Sequence, residues 1–398
     1  MRTTTHAIRI FVSILFIISG LVKANDPLGL SYKMEEFFEV WNASLSIGNF
    51  FLESSLISLF NYLHEHSLTL SLLMISLEIM AGAALLVGWS KRFTLWLLFL
   101  LILFFTFLTG YAYASGKFKN CGCFGDCLPI TPLSSFLKDI LLLILIVWLI
   151  INQRYIRPLA TKALRTSILM GCLVLSIGLQ WYVLNYLPIK DCLPFKVGNN
   201  ISNQMKIPEG AVPDSFAIRF VYERGGKQFE FSPADLPSDL DQYKFVNRTD
   251  KLIRQGNAEA PIKAFSLVTI NGEDSTQALL NDSQYTIWYF INPDSKSLAQ
   301  LNSQGNLIEQ ARKKNIKVYL ITNMGDELQK IILGLPILKC DVTVFRTAAR
   351  TNPCIFLMKG GTILNKWSSK NASKAINTIN NLPVQTASVA KLDTIELL

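Results

Sequence analysis

The stretch "NCGCFGDCLPITP", residues 120–132, sets Cys121, Cys123 and Cys127 close together and ends on two prolines. Three crowded thiols admit three chemistries. The first is thiol–disulfide exchange. Cys121-Gly122-Cys123 can close a disulfide only as a small strained ring, and strain raises the reduction potential. Cys123 and Cys127 close more easily, so the loop can move between pairings while Gly122 and Gly125 give the backbone freedom. Cys192, in "LPIKDCLPFKVGNN", is open as a fourth, resolving partner. The second is a structural staple. The third is a metal centre, in which three thiolates and His64 or His66 of "NYLHEHSL" would hold zinc or copper. No paired CxxC supports that reading, and no metal is assigned. Thiol exchange is the leading chemistry of the triplet, with the staple as its alternative.

A second group with chemical potential is Glu78, inside the apolar run "LEIMAGAALLVG". An acid there is expensive and should face the interior of a helical bundle. It reads either as a proton acceptor for a reduced quinone or as a neutral carboxyl that pins helices. Lys138 and Asp139 follow the cysteine stretch directly; Lys138 could favour a thiolate or snorkel to headgroups.

The elements that position these residues are membrane spans. The chain of 398 residues is half hydrophobic and only 17% charged, well under the usual quarter for soluble domains. Five runs approach or exceed the ~20 residues a bilayer needs: 8–23, 68–89, 93–113, 136–151 and 167–187. Lys23 stands where a cleaved leader would carry small residues, so the first run reads as an uncleaved span. Lys91, Arg92, Arg154, Arg157, Lys162 and Arg165 collect in two of the loops, which predicts a cytoplasmic N-terminus. The 24–66 loop, the cysteine loop and everything after Leu187 then lie outside, in an oxidising periplasm. The stretch 31–41 reads as an interfacial helix or as one packed on the bundle. Cys172, early in the fifth span, reads as a small buried apolar residue. The net charge of +9 is spread through loops without a dense basic tract, which argues against nucleic acid as a partner. The predicted partners are the bilayer and a thiol-bearing periplasmic protein.

Beyond the spans the pattern is that of a water-soluble domain. "FAIRFVYERGGKQFEFS" alternates around Gly225-Gly226 as a hairpin does. From Ile262 the chain reads as a strand pair (262–273), a buried strand at 285–293, and an amphipathic helix at 298–315. A strand at 316–323, a helix from Gly325 to about Leu333, a hairpin at 352–367 and a last helix at 371–380 follow. Such alternation predicts an α/β domain. The order, with Asn352-Pro353 before an apolar strand and Gly360-Gly361 at the turn, resembles a thioredoxin-like fold, which would make Pro353 cis. That family's CxxC position reads "INPDSKSLAQ" here, without cysteine. A Cys340–Cys354 disulfide is open.

"RIFVSILFIISGLVKANDPLG", the acid in "LEIMAGAALLVG", and "CGCFGDCLPITPLSSFLKDILLL" together resemble the DoxX/MauE membrane family, in the form fused to a periplasmic thioredoxin-like domain in Bacteroidota. The resemblance implies a membrane all-α bundle with a four-helix core plus a fifth span, followed by an α/β thioredoxin-like domain. The expected organisation is a membrane domain at 1–152, a cytoplasmic loop and fifth span at 153–187, a periplasmic linker with hairpin at 188–260, and the thioredoxin-like domain at 261–398. It further implies disulfide formation at the outer face of an inner membrane, with Cys121 and Cys123 carrying over as the exchanging pair and a quinone as acceptor. Nothing else in the chain points to methylamine, the metabolism for which MauE is named. The competing reading is a scaffold whose cysteines are structural.

Overall fold

The computed structural model describes residues 1–45, 53–118, 130–332 and 334–385, except 214, 255 and 257, together with Gly125 and Cys127. Cys121 and Cys123 lie outside the described residues.

The first part is helical: α1 (Arg2–Ala24), α2 (Pro27–Leu45), α3 (Glu53–Glu65), α4 (Ser67–Val87), α5 (Lys91–Ser115), α6 (Pro132–Ile151) and α7 (Lys162–Tyr186). Of these α1, α4, α5, α6 and α7 are long and apolar enough to cross a membrane. Three begin four or more residues earlier than the hydropathy suggests, α1, α6 and α7, the last two for local reasons. Thr131 accepts the amide of Ser134 and Pro132 occupies the first turn of α6, a start that needs no apolar residue. Thr161 caps α7 in the same way through Leu164.

Lipid gives little hydrophobic drive to helix association, so close backbone approach matters. At the α1–α4 crossing a Cβ on Gly20 would lie 2.5 Å from Ile79 Cγ1, and one on Gly82 3.0 Å from the Ser13 carbonyl oxygen. Val12, Phe16, Leu95, Leu98, Ile102, Leu142, Ile146 and Leu149 fill the interior beside them. Arg9 is buried in this bundle. It donates to the carbonyls of Leu85 and Leu86 in the last turn of α4, and to that of Arg157, at 2.6–2.8 Å, so that helix end is capped by a side chain. The 31–41 stretch belongs to α2, which packs on the bundle: Met34, Phe37 and Phe38 are buried, and Phe37 stacks on Phe118 at 4.2 Å.

After α7 come α8 (Ile201–Gln204) and an antiparallel sheet of β1 (Ser215–Arg224), β2 (Lys227–Phe231) and β3 (Lys244–Arg254), in the order β2-β1-β3. Gly225 and Gly226 both have positive φ, as the tight hairpin requires. Sequence reading missed β3, whose apolar residues do not alternate, because the sheet is largely solvent-exposed on both faces.

The remaining elements are β4 (Val268–Thr269), α9 (Thr276–Leu280), β5 (Tyr285–Phe290), α10 (Ser295–Ser303), α11 (Gly305–Lys313), β6 (Lys317–Thr322) and α12 (Gly325–Ile331). Then come β7 (Ile337–Lys339), α13 (Val342–Ala348), β8 (Cys354–Lys359), β9 (Thr362–Ser368) and α14 (Ala372–Asn380). They form a mixed sheet in the order β4-β7-β6-β5-β8-β9. The β5–β6 and β6–β7 pairs are parallel, β8 and β9 antiparallel additions. The Asn352–Pro353 bond is cis, as the thioredoxin-like resemblance implied.

Three expectations need correction. The 262–273 stretch is mostly irregular: Ile262, Phe265 and Leu267 anchor it in the core, and pairing is confined to a tight turn where Val268 bridges Asp274 and the Thr269 amide donates to the Glu273 carbonyl. The 298–315 helix is two, divided at Gln304, whose side chain donates to the Ser369 carbonyl. The segment after α7 is not a free linker. Phe195 and Ile201 are buried in the same core as Trp288, Phe290 and Phe356.

Candidate functional site

Cys127 is bonded to Cys192, with their Cα atoms 4.9 Å apart. Of the partners open to Cys127, the structure therefore shows the one after α7. The bond joins the cysteine loop to the stretch that enters the α/β core. The loop is held elsewhere as well. Phe118 is buried against Phe37, and Gly125 lies over the end of α1, where a Cβ would sit 3.8 Å from Val22 Cγ1. Cys121 and Cys123 are the two thiols of this loop that the Cys127–Cys192 bond leaves out.

The open Cys340–Cys354 disulfide is not formed; both are free, as is half-buried Cys172. Cys340 follows β7 and Cys354 begins β8, with β6 and β5 between those strands. Three strand spacings come to roughly 14 Å, twice the Cα reach of a disulfide. Burial pushes the Cys354 thiol up to about 11 and, with neighbouring Asp341, the Cys340 thiol up to about 12. Both are poor nucleophiles.

The place a thioredoxin-like dithiol would occupy is knitted shut by polar side chains. Asp294 caps α10 through the Ser297 amide at 2.8 Å, and Asn352, beside the cis proline, donates to Asp294. The Asn292 amide donates to Asn352 Oδ1 at 2.9 Å.

Within the bundle Glu78 has a partner that sequence reading did not assign. Lys23 Nζ lies 2.7 Å from Glu78 Oε2 and 3.0 Å from Oε1, and donates to Ser19 at 3.2 Å. It stands 4.3 Å from the centre of the Phe105 ring. Both side chains of the pair are under 5% exposed. The available signal was a lysine late in one apolar run and a glutamate within another, since a buried charge calls for a partner. Across from them Asp139 is buried, paired with Lys138 at 2.8 Å and accepting the Thr109 hydroxyl at 3.1 Å. Lys23, Glu78, Lys138 and Asp139 line a single cavity of about 20 Å³, room for one water. His64 and His66 lie elsewhere, beside Glu39 and the Tyr62 carbonyl.

The α/β domain is clamped to the same end of the bundle. Arg350 pairs with Asp26 at 2.8 Å and Arg346 with Glu35 at 2.9 Å. Both guanidinium groups lie over the ring of Tyr32, that of Arg346 at 4.7 Å and that of Arg350 at 5.5 Å from its centre. Asn25 donates to the Lys190 carbonyl, and Lys366 pairs with Asp191, next to the bonded Cys192.

Residues 1–152 match the family described as methylamine utilisation protein MauE. Residues 216–255, the three-stranded sheet, match a family described as a domain of unknown function. Among curated proteins, Protein TlpB of Flavobacterium psychrophilum is 29% identical over 159 residues, covering 36% of this chain. The chain spans about a third (35%) of that relative's length. No solved structure matches. With five spans, a buried ionic cluster and Cys127 stapled to Cys192, residues 1–152 and the helix that follows build a multi-pass membrane unit. Its first 152 residues are a MauE-family domain, joined to an α/β domain.

Proposed function

We propose that this protein carries out thiol–disulfide redox chemistry for proteins on the periplasmic side of a bacterial inner membrane. The N-terminus is cytoplasmic in this reading, and the cysteine loop and α/β domain lie outside, as the lysines and arginines of the opposite loops require. The observation that carries the proposal is the Cys127–Cys192 bond. It fixes one thiol of the triplet to the α/β domain's own chain and leaves Cys121 and Cys123 as a closely spaced pair in an anchored loop.

In the reaction a substrate dithiol reduces the Cys121–Cys123 disulfide by two successive exchanges and leaves oxidised. The reduced pair gives two electrons and two protons to a lipid-soluble quinone and closes again. Cys127 and Cys192 enter as a second couple. Attack of the Cys123 thiolate on Cys127 Sγ forms Cys123–Cys127 and releases Cys192 as thiolate, with no change in overall oxidation state. The α/β domain, thioredoxin-like in strand order and cis proline, has polar groups where a dithiol would stand and poorly nucleophilic thiols elsewhere. It positions the substrate and does not react.

A second reading, a scaffold, is favoured by the same bond, because a disulfide between the loop and the segment after α7 also serves as an anchor. Acid trapping, differential alkylation and peptide mass spectrometry in intact cells separate the two. With quinone turnover blocked, accumulation of reduced Cys121 and Cys123 supports the redox reading. Persistent full oxidation of all four cysteines refutes it in favour of the scaffold.

A further inference from the structure

Four ionisable side chains from three helices share one cavity: Lys23 of α1, Glu78 of α4, and Lys138 and Asp139 of α6. The neighbouring helix α5 contributes Thr109 and Phe105 and no charge. The two acids are held differently. Both oxygens of Glu78 face the Lys23 ammonium, and neither side chain of the pair reaches solvent. A proton on Glu78 would strand a positive charge inside the bundle, at a cost far above that of any exposed ion pair. Asp139 is just as buried, yet its partner Lys138 is a quarter exposed. If Asp139 takes a proton, Lys138 can swing its charge out to water or headgroups, and the neutral carboxyl keeps Thr109 within hydrogen-bonding distance. One acid is held by a fully buried partner, the other by a partner that reaches solvent.

We propose that Asp139, and not Glu78, is the proton-carrying residue of this protein, exchanging protons between the cysteine-loop surface and the cavity through one water held among the four charges. Its position fits that task. Asp139 lies two turns into α6, whose start is the end of the cysteine loop, and Gly125 of that loop rests on Val22, the residue before Lys23. This rests on the redox reading for its purpose. Oxidation of Cys121 and Cys123 releases two protons with two electrons, and a quinone takes up both. Asp139 Oδ1 accepts one proton at a time from the loop side and returns to the anion when the proton moves on. The Lys23–Glu78 pair keeps its charges throughout and holds the water in place.

The test uses the full chain in lipid nanodiscs. Infrared spectra over a pH series read the carbonyl stretch of a buried protonated carboxyl directly and need no turnover. The expected result is a band that grows on acidification, is lost in Asp139→Asn, and survives in the charge-free double variant Lys23→Gln/Glu78→Gln. The double variant is used because Glu78→Gln alone leaves Lys23 unpaired. A band lost in the double variant and kept in Asp139→Asn, or no such band at all, overturns the proposal. Retention of the Cys127–Cys192 bond in each variant checks the fold. A second arm follows reoxidation of reduced Cys121 and Cys123 by a short-chain quinone. Asp139→Asn should slow it roughly 10²-fold, in the range of lost acid–base catalysis, and flatten its pH profile, while Asp139→Glu restores both. An unchanged rate and profile in Asp139→Asn also overturns the proposal. If the wild-type protein shows no quinone-dependent reoxidation, the redox reading fails, and the infrared result still decides whether Asp139 carries the proton.

Discussion

Neutralising Glu78 puts the buried ion pair to a quantitative test. Glu78→Gln removes the carboxylate that holds the Lys23 ammonium at 2.7 Å, in a place where the two side chains are 3% and 4% exposed. Removing one partner of a buried pair typically costs about 3–5 kcal/mol. One feature places this case at the lower end: the Ser19 hydroxyl and the Phe105 face stay beside the ammonium. The expected loss is about 3 kcal/mol, or roughly a 10²-fold shift in the folded-to-unfolded ratio. Lys23→Met/Glu78→Met should lie within about 1 kcal/mol of wild type, because an apolar pair removes the desolvation penalty along with the attraction. The cycle, completed by Lys23→Met alone and Glu78→Met alone, is read by denaturant unfolding of the purified chain in mixed micelles, followed by tryptophan fluorescence. A coupling energy near zero, with Glu78→Gln as stable as wild type to within about 0.5 kcal/mol, would refute the argument.

Three further outcomes are expected. Cys127→Ser/Cys192→Ser opens a link across a sequence separation of 65; chain entropy sets its worth at no more than about 4 kcal/mol. Membrane insertion of α6 and α7 already restrains that loop, so a loss above this bound in the same unfolding assay would mean the staple does more than tether. Arg350→Met removes the guanidinium from Asp26 and Tyr32 at a contact only 5% exposed on the arginine side. It should loosen the clamp and speed proteolysis between α7 and β1 several-fold, while unchanged cleavage would show that Arg346 and the segment after α7 suffice. Cys340 and Cys354, raised from 9.0 to about 12 and about 11, should resist iodoacetamide at pH 8 by at least ~10²-fold relative to the unfolded chain. The unfolded thiols ionise near pH 9 and the native ones do not. Native protein therefore holds protons the unfolded chain loses, and stability should fall as pH rises from about 9 to about 12. Modification of either thiol at the unfolded rate would contradict this.

The sequence alone determined the spans, because a bilayer needs about 20 apolar residues and soluble helices seldom supply them. It also determined the Gly225-Gly226 hairpin, where only glycine accepts the positive φ at no cost, and the alternation that makes the second half α/β. It pointed to the cysteine triplet and to Glu78 as groups that need an explanation. Short elements escaped it: β7 and α13 are too brief to show a period, and they take their form from the sheet they join. Pairing escaped it entirely. That Cys127 meets Cys192, that Lys23 meets Glu78, and that Arg346 and Arg350 close on Glu35, Asp26 and Tyr32 are contacts between residues 55 to more than 300 positions apart. Local patterns record which face of a helix or strand is apolar, and they do not record what stands opposite it. The tertiary structure decided that Cys340 and Cys354 stay apart, by placing two strands between theirs, and that the chain after α7 is core. It also gathered four charges around one water-sized space, because a buried charge is stable only where the folded chain brings its counter-charge to it.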